Sequence, residues 1–300
     1  MQDAYNKLWK SIPEQLQKLQ LARLIIEDVA EAENFLRHLN YYRFSGYGLP
    51  FEVKRHHYID GTTFLQIRRA YEFDRALRDL VYEAMEVIEL DVRTSIAFTF
   101  GESYEAFGHI HPSNFNKRFR HRDWLQKLHK QTEASQEVFI RHFERKYSDY
   151  PNLPIWVVTE ILSFGSLSMM LKGLHKKDQK RVAHRYGMQP ETFISCLHHI
   201  VYVRNICAHH ARLWDKIWAV KPQLPFGKAW RSPLLPSNRN LFASLLLQNC
   251  LLSSCDAERV FVAGWRDRIE NLVMNQLPEC PNALGKMGLT KNLTEHPLWI

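Results

Sequence analysis

The chain has 300 residues, 45% hydrophobic and 24% charged, an ordinary globular composition with room for one large domain or two modest ones. Forty Lys and Arg against 32 Asp and Glu leave a charge of +8, a balance that favours a polyanionic partner such as nucleic acid. Five cysteines, an odd number with no CxxC pair, exclude a disulfide framework and a zinc ribbon and fit a reducing cytosol.

The start, MQDAYNKLWKSIPEQLQKL, carries no apolar leader core and no small-residue cleavage site. No window reaches the roughly 18 apolar residues of a membrane span, so a cytoplasmic protein without membrane contact is expected. Beyond the start, apolar residues recur three and four apart in LARLIIEDVAEAENFLRHL, FLQIRRAYEFDRALRDLVYEAMEVIELDVRTSIAF, WLQKLHKQTEASQEVFIRHF, IWVVTEILSFGSLSMMLKGL, ETFISCLHHIVYVRNICAHH and NLFASLLLQNCLLSS. Strand signals are scarce, and the pattern predicts an all-α fold. Breakers fall at 45–51, 109–115, 150–154 and 187–190, and a loop with four prolines runs from 221 to 240. Loops of that length are often functional or mobile. The economical division is one helical domain over 1–278, with an N-terminal section to about 60 and a core from 61, followed by a tail over 279–300.

The segment YVRNICAHHARLWD, from Tyr202 to Asp215, concentrates titratable groups on a predicted helix that starts at Pro190. If that helix runs unbroken past 210, at roughly 100° per residue, then Cys196, Ile200, Val203, Ile206 and Cys207 face a core. On the opposite side His198, Tyr202, Asn205, His209 and Arg212 form a stripe, at spacings of four, three, four and three. A stripe of that kind is commonly a hydrated helix face. It is also a chemical constellation, because an imidazole transfers protons near neutral pH while a guanidinium forks onto phosphate oxygens. No Ser or Cys nucleophile with a flanking base is evident, so phosphodiester chemistry suits these residues better than acyl transfer. A zinc quartet of Cys196, His199, Cys207 and His210 is rejected, because eleven residues of helix part the cysteines by about 16 Å. Neither a metal nor another cofactor is expected.

The string RNICAHHARLW, Arg204 to Trp214, resembles the signature of the Abi_2 abortive-infection proteins (AbiD and AbiF type), and its Arg followed by His matches the HEPN superfamily pattern. HLNYYRFSGYGLPF at 38–51, ELDVRTSIAF at 89–98 and PIWVVTEILSFGSLSMM at 154–170 resemble the other blocks of that family in order. The resemblance spans about residues 20 to 270 and implies a HEPN-like helical bundle. It further implies a metal-independent endoribonuclease that acts as a homodimer with two motifs facing one cleft. Carried over by residue, the catalytic positions are Arg204, Asn205 and His209, with His210 satisfying a looser spacing. Arg204 and His209 stand about 140° apart on an ideal helix. Either the arginine bends around, or it serves a site completed by a second subunit.

On that reading the 2′-hydroxyl of RNA attacks its own phosphorus, and one His209 acts as base with its dimer mate as acid. Arg204 stabilises the phosphorane, and Asn205 orients the imidazole or a phosphate oxygen. Products carry 2′,3′-cyclic phosphate and 5′-hydroxyl ends, and DNA resists. Arg212, His210 and Tyr202 are further candidates for substrate contact. Lys117, Arg118, Arg120 and Arg122, interleaved with Phe119 and Trp124, are expected to hold RNA by phosphate contact and base stacking, although a plain exposed helix start explains them nearly as well. The basic run 175–185 is similar without aromatics. The aromatics of 40–51 are expected to pack against the core. Glu160, alone among apolar neighbours, is expected to be a buried partner of a basic residue in the cluster. Two other functions fit the residues: an RNA-binding protein of this fold that holds a regulatory noncoding RNA without cutting it, and a protein-interaction module.

Overall fold

The computed structural model describes residues 8–235, 237–255 and 259–299. The first seven residues of the start and Pro236 of the long loop lie outside the described residues. In chain order the α-helices are α1 Ile12–Leu21, α2 Val29–Leu39, α3 Tyr41–Gly48, α4 Phe64–Tyr104, α5 His121–Ala134, α6 Val138–Lys146, α7 Ile155–Ile161, α8 Phe164–Gly173, α9 Lys176–Arg185, α10 Pro190–Ala208, α11 Leu241–Leu252, α12 Arg259–Gln276 and α13 Ala283–Met287. One small antiparallel ribbon, β1 Glu52–Lys54 with β2 His57–Tyr58, joins α3 to α4. The fold is all-α in character, as the apolar period predicts.

Helix α4 is the axis of the molecule. Its 41 residues run about 60 Å at 1.5 Å per residue. Phe64, Ile67, Phe73, Leu77, Val81, Ile88, Val92, Ile96 and Phe100 recur at intervals of one or two helical turns, and all are buried. Burying each such side chain contributes about 1.5–3 kcal/mol. Helices α3, α7, α9, α10, α11 and α12 pack around it.

Three of the predicted helical runs are interrupted. The 21–39 run breaks after Leu21 because Ile25 enters a bridge, its N–H donating to Thr62 O at 2.9 Å and its carbonyl accepting from Phe64 at 2.8 Å. Asp28 then caps α2 by accepting from Glu31 N at 2.9 Å. The 124–143 run splits around Ser135, and the 155–174 run splits at Ser163, whose hydroxyl accepts from Ser166 N at 3.2 Å to start α8. Apolar period continues across each break, but short polar side chains offer the backbone an alternative partner. Conversely, α3 runs through Gly46 to Gly48, past the expected breaker at 45. Gly48 is needed there because a Cβ would sit 2.7 Å from the Tyr58 hydroxyl.

The proline-rich loop is tied to the back of α10. Gln223 N donates to Ser195 Oγ at 2.9 Å, Cys196 Sγ donates to Gln223 O at 3.2 Å, and Trp230 and Leu235 are buried. The stretch after 278 also packs down, with Trp299 against Trp265 at 5.6 Å between ring centroids and its Nε1 donating to Glu270 at 2.7 Å. Among the described residues no helix is long and apolar enough to cross a membrane.

Candidate active site at the end of α10

Cys196, Ile200, Val203, Ile206 and Cys207 line the buried face of α10, in agreement with the helical count. The helix does not run past 210, however. It ends at Ala208, His209 leaves the helical region at φ −91°, ψ 11°, and His210 turns left-handed at φ 53°. His210 N donates to Cys207 O at 2.9 Å and Ala211 N to Ile206 O at 3.0 Å, the paired bonds of a Schellman stop with histidine where glycine is usual. What stops the helix lies elsewhere in the chain. The buried Asp74 carboxylate on α4 accepts from Leu213 N at 3.0 Å and Trp214 N at 2.8 Å. It also accepts from Tyr47 Oη at 2.6 Å and pairs with Arg78. Burial pushes the Asp74 carboxyl upward, and Arg78, Tyr47 and the two amides oppose that shift.

The stripe is therefore divided. Asn205 and His209 are exposed and one turn apart, and His209 N donates to Asn205 O at 3.0 Å. Among the described residues the His209 imidazole has no hydrogen-bond or ion-pair partner. Arg212, beyond the stop, is on no helix. Its guanidinium donates to Gly46 O and pairs with Asp215 at 2.9 Å, so it fastens α3 to this turn. Burial raises the Asp215 pKa and Arg212 opposes it. His210 projects from the stop and not along the Cys207 face, and its carbonyl accepts from Arg43. Tyr202 is half-buried, its ring near Trp218 and its hydroxyl accepting from Ala219 N at 3.5 Å.

Arg204 bends toward its neighbour, with Nη1 3.4 Å from Asn205 Oδ1. Its other end pairs with Glu89 Oε2 at 3.5 Å, and its Cζ lies 6.0 Å from the centre of the Tyr82 ring. Glu89 is shared with Arg93, which donates to Thr159 O and, at 2.7 Å, to Leu162 O. One carboxylate thus serves two guanidiniums, and a positive charge is left over. Glu89 and Tyr82 are functional candidates that sequence reasoning missed. Glu89 sits four residues before Arg93, a spacing that a helical reading of 89–98 could have used.

Glu160 is corrected by the same cluster. Its carboxylate is exposed, and the group it offers toward Arg93 is its backbone carbonyl at 3.5 Å. A carboxylate at 160 points to solvent because α7 buries Ile155, Val158 and Thr159 instead. The Cys207 thiol, pushed up to about 12 by burial, is no thiolate nucleophile. His199 has both ring nitrogens engaged, with Val220 O at 2.7 Å and Ser244 Oγ at 2.7 Å, and burial lowers its pKa to about 4.

Lys117, Arg118 and Arg120 line an open groove of about 1590 Å³ between α5, α8 and α10, whereas Arg122 is exposed but outside it. Phe119 and Trp124 border the same groove, but Trp124 is buried and Phe119 half-buried. They pack with Phe115 and His121 in an aromatic cluster, and Phe119 lies on Gly173, where a Cβ would be 2.4 Å from its ring. Core burial outweighs exposure for rings of this area. In the 175–185 run, Lys176, Arg181 and Arg185 are paired with Glu191, Glu102 and Asp91.

Fold and site together define an all-α protein in which an Arg-Asn pair lies in the last turn of a helix and a histidine without a partner among the described residues follows that turn. A family model described as Abi-like protein (Abi_2) matches residues 34–215. The chain belongs to this family, and by that membership is an abortive-infection type of protein. The matched segment contains Arg43, Gly46, Asp74, Glu89, Arg93, Arg204 and Arg212, the residues that bind the α10 end to α3, α4 and α7. No curated protein and no solved structure matches the chain.

Proposed function

We propose that this protein is a metal-independent endoribonuclease of a bacterial anti-phage abortive-infection system, acting as a homodimer in the cytoplasm. The observation that carries the proposal is the exposed His209 imidazole, without a partner among the described residues, one turn from Asn205 and its contact with Arg204. A histidine with nothing to hold it structurally is available for proton transfer. The 2′-hydroxyl of the substrate supplies the nucleophile, so the reaction asks the protein only for a base, an acid and charge stabilisation.

His209 removes the 2′-proton, the 2′-oxygen bonds to phosphorus, and the P–O5′ bond breaks. A second imidazole protonates the departing 5′-oxygen, and a 2′,3′-cyclic phosphate remains. The partner copy's His209 fills the acid role, as the pairing of two motifs across one cleft allows. Arg204, with Glu89 shared between it and Arg93, keeps positive charge at the phosphorane, and Asn205 orients an oxygen or the ring.

The test is incubation of the purified protein with end-labelled RNA in EDTA. Cyclic-phosphate ends that disappear in His209→Ala are expected. RNA retained but uncut identifies a binding protein that holds a regulatory RNA, and indifference to RNA identifies a protein-interaction module.

A further inference from the structure

The groove beside α10 has more charge than its ion pairs consume. Of its basic lining groups, Arg120 is paired with Asp123 at 2.6 Å and Lys176 with Glu191. Those two acids are the only ones lining it among the described residues. Lys117, Arg118, Lys127, Lys130 and Lys172 remain without a carboxylate partner among the described residues. Five uncompensated cations on one concave surface are a large share of a net charge of +8. They are also placed from several sides. Lys127 and Lys130 stand three apart on α5, and Lys172 lies in the last turn of α8. Asn116 clamps the 116–118 turn to that last turn by donating to Lys172 O at 2.9 Å, and its N–H donates to Gly173 O at 2.8 Å.

Size and lining decide what kind of ligand fits. A volume of about 1590 Å³ exceeds the roughly 300–1,000 Å³ of small-molecule pockets, so the groove suits a polymer. Met169, Leu174, Ile194 and Val201 line it too, and Phe119 and Trp124 border it with their rings packed in the aromatic cluster, Trp124 buried and Phe119 half-buried. Rings held in that cluster offer bases little face to stack on, and lysines bind phosphates as point charges. The groove also leads somewhere. His198 and Val201 of α10 form its wall, and Arg204 and Asn205 follow one turn on, about 5 Å along the axis. At the same end lies Ser163, next to Leu162, whose carbonyl is held by the Arg93 that shares Glu89 with Arg204.

We infer that this groove holds the sugar-phosphate backbone of a single RNA strand by charge alone, indifferent to base and 2′-hydroxyl, and leads it along α10 to Arg204 and His209. A flexible strand is required because the 2′-oxygen must swing opposite the 5′-oxygen, a rotation that an A-form duplex blocks. The consequence is a division of labour: the groove accepts RNA and DNA strands alike, and only the site tells them apart. Single-stranded DNA is therefore a competitive inhibitor that is never cut. The leading step rests on the nuclease reading; the binding step does not.

The experiment uses the full chain carrying His209→Ala, with fluorescein-labelled oligouridylate and oligothymidylate of about sixteen nucleotides, followed by anisotropy over a salt series. Five phosphate contacts predict that log K falls with log salt at a slope of about −3.5 for both strands. The Lys127→Ala/Lys130→Ala/Lys172→Ala variant is expected to reduce the slope to about −1.4, with its unfolding transition unchanged. A tenfold preference for RNA over DNA, tighter binding of an RNA duplex, or a triple variant that binds like its parent overturns the inference. With His209 intact, excess oligothymidylate is expected to raise KM for RNA cleavage and leave kcat alone. Strands that bind as described with no RNA cut would remove the nuclease reading and keep the groove. RNA cut with the same KM by the triple variant would remove the groove and keep the nuclease.

Discussion

Asp74 Oδ1 lies 2.8 Å from the amide nitrogen of Trp214, across 140 residues of sequence. That bond, with its neighbour to Leu213 N, ends α10 where the two histidines emerge. Replacing Asp74 by Ala leaves Arg78 buried without its carboxylate and two amides unpaired. A loss of about 3–5 kcal/mol is expected in urea unfolding. The Asp74→Ala/Arg78→Met double variant is expected to recover part of it, because the stranded charge is gone.

His210 holds φ 53°, a conformation that a side chain resists. His210→Gly is expected to stabilise the fold by roughly 1 kcal/mol, and His210→Ala to give no such gain. Equilibrium unfolding of the two variants, side by side, checks the sign.

His209 makes no bond that folding needs, so His209→Ala is expected to leave stability within about 0.5 kcal/mol. RNA cleavage is expected to fall by about 10² or more. A variant that loses both together would mean the imidazole is structural.

Glu89→Gln removes the carboxylate that Arg204 and Arg93 share. Both cleavage and stability are expected to drop, the latter by about 3 kcal/mol because the cluster is largely buried. Glu160→Gln is the control, since its carboxylate faces solvent: neither quantity is expected to move.

Acid is expected to destabilise the protein in a defined window. His199 and His109 are buried, and desolvation lowers each pKa from 6.5 to about 4. Above pH 6.5 both folded and unfolded chains hold these rings neutral, and the contribution is intact. Between 6.5 and 4 the unfolded chain takes up protons that the folded chain refuses, so stability falls as pH falls, by at most about 3 kcal/mol per histidine. Below 4 the loss levels off. Urea midpoints at a series of pH values trace the slope, and it should flatten in His199→Gln if that variant folds.

Much of the site was legible because helical period is a local property. The count around α10 separates Cys196, Val203 and Cys207 from Asn205, and the structure buries the first three and exposes the last. The four sequence blocks mark the residues that meet: Arg43 and Gly46 from the first, Glu89 and Arg93 from the second, the Thr159 and Leu162 carbonyls from the third, Arg204 and Arg212 from the fourth. Which atoms meet was not legible. The count fails at Arg212 because the helix stops early, and it fails for Glu160 because an acid among apolar neighbours looks buried until the packing of α7 is known.

The amino-acid order alone determined the helical class and the buried stripe of α4, since each depends on residues within a few turns of one another. Arg204, Asn205 and His209 are candidates by the family resemblance of the ordered blocks. Tertiary structure alone decided where α10 ends, which carboxylate serves Arg204, and that Phe119 and Trp124 turn inward. The first two depend on partners far away in sequence, Asp74 for Trp214 and Glu89 for Arg204, and no local period carries information over that range.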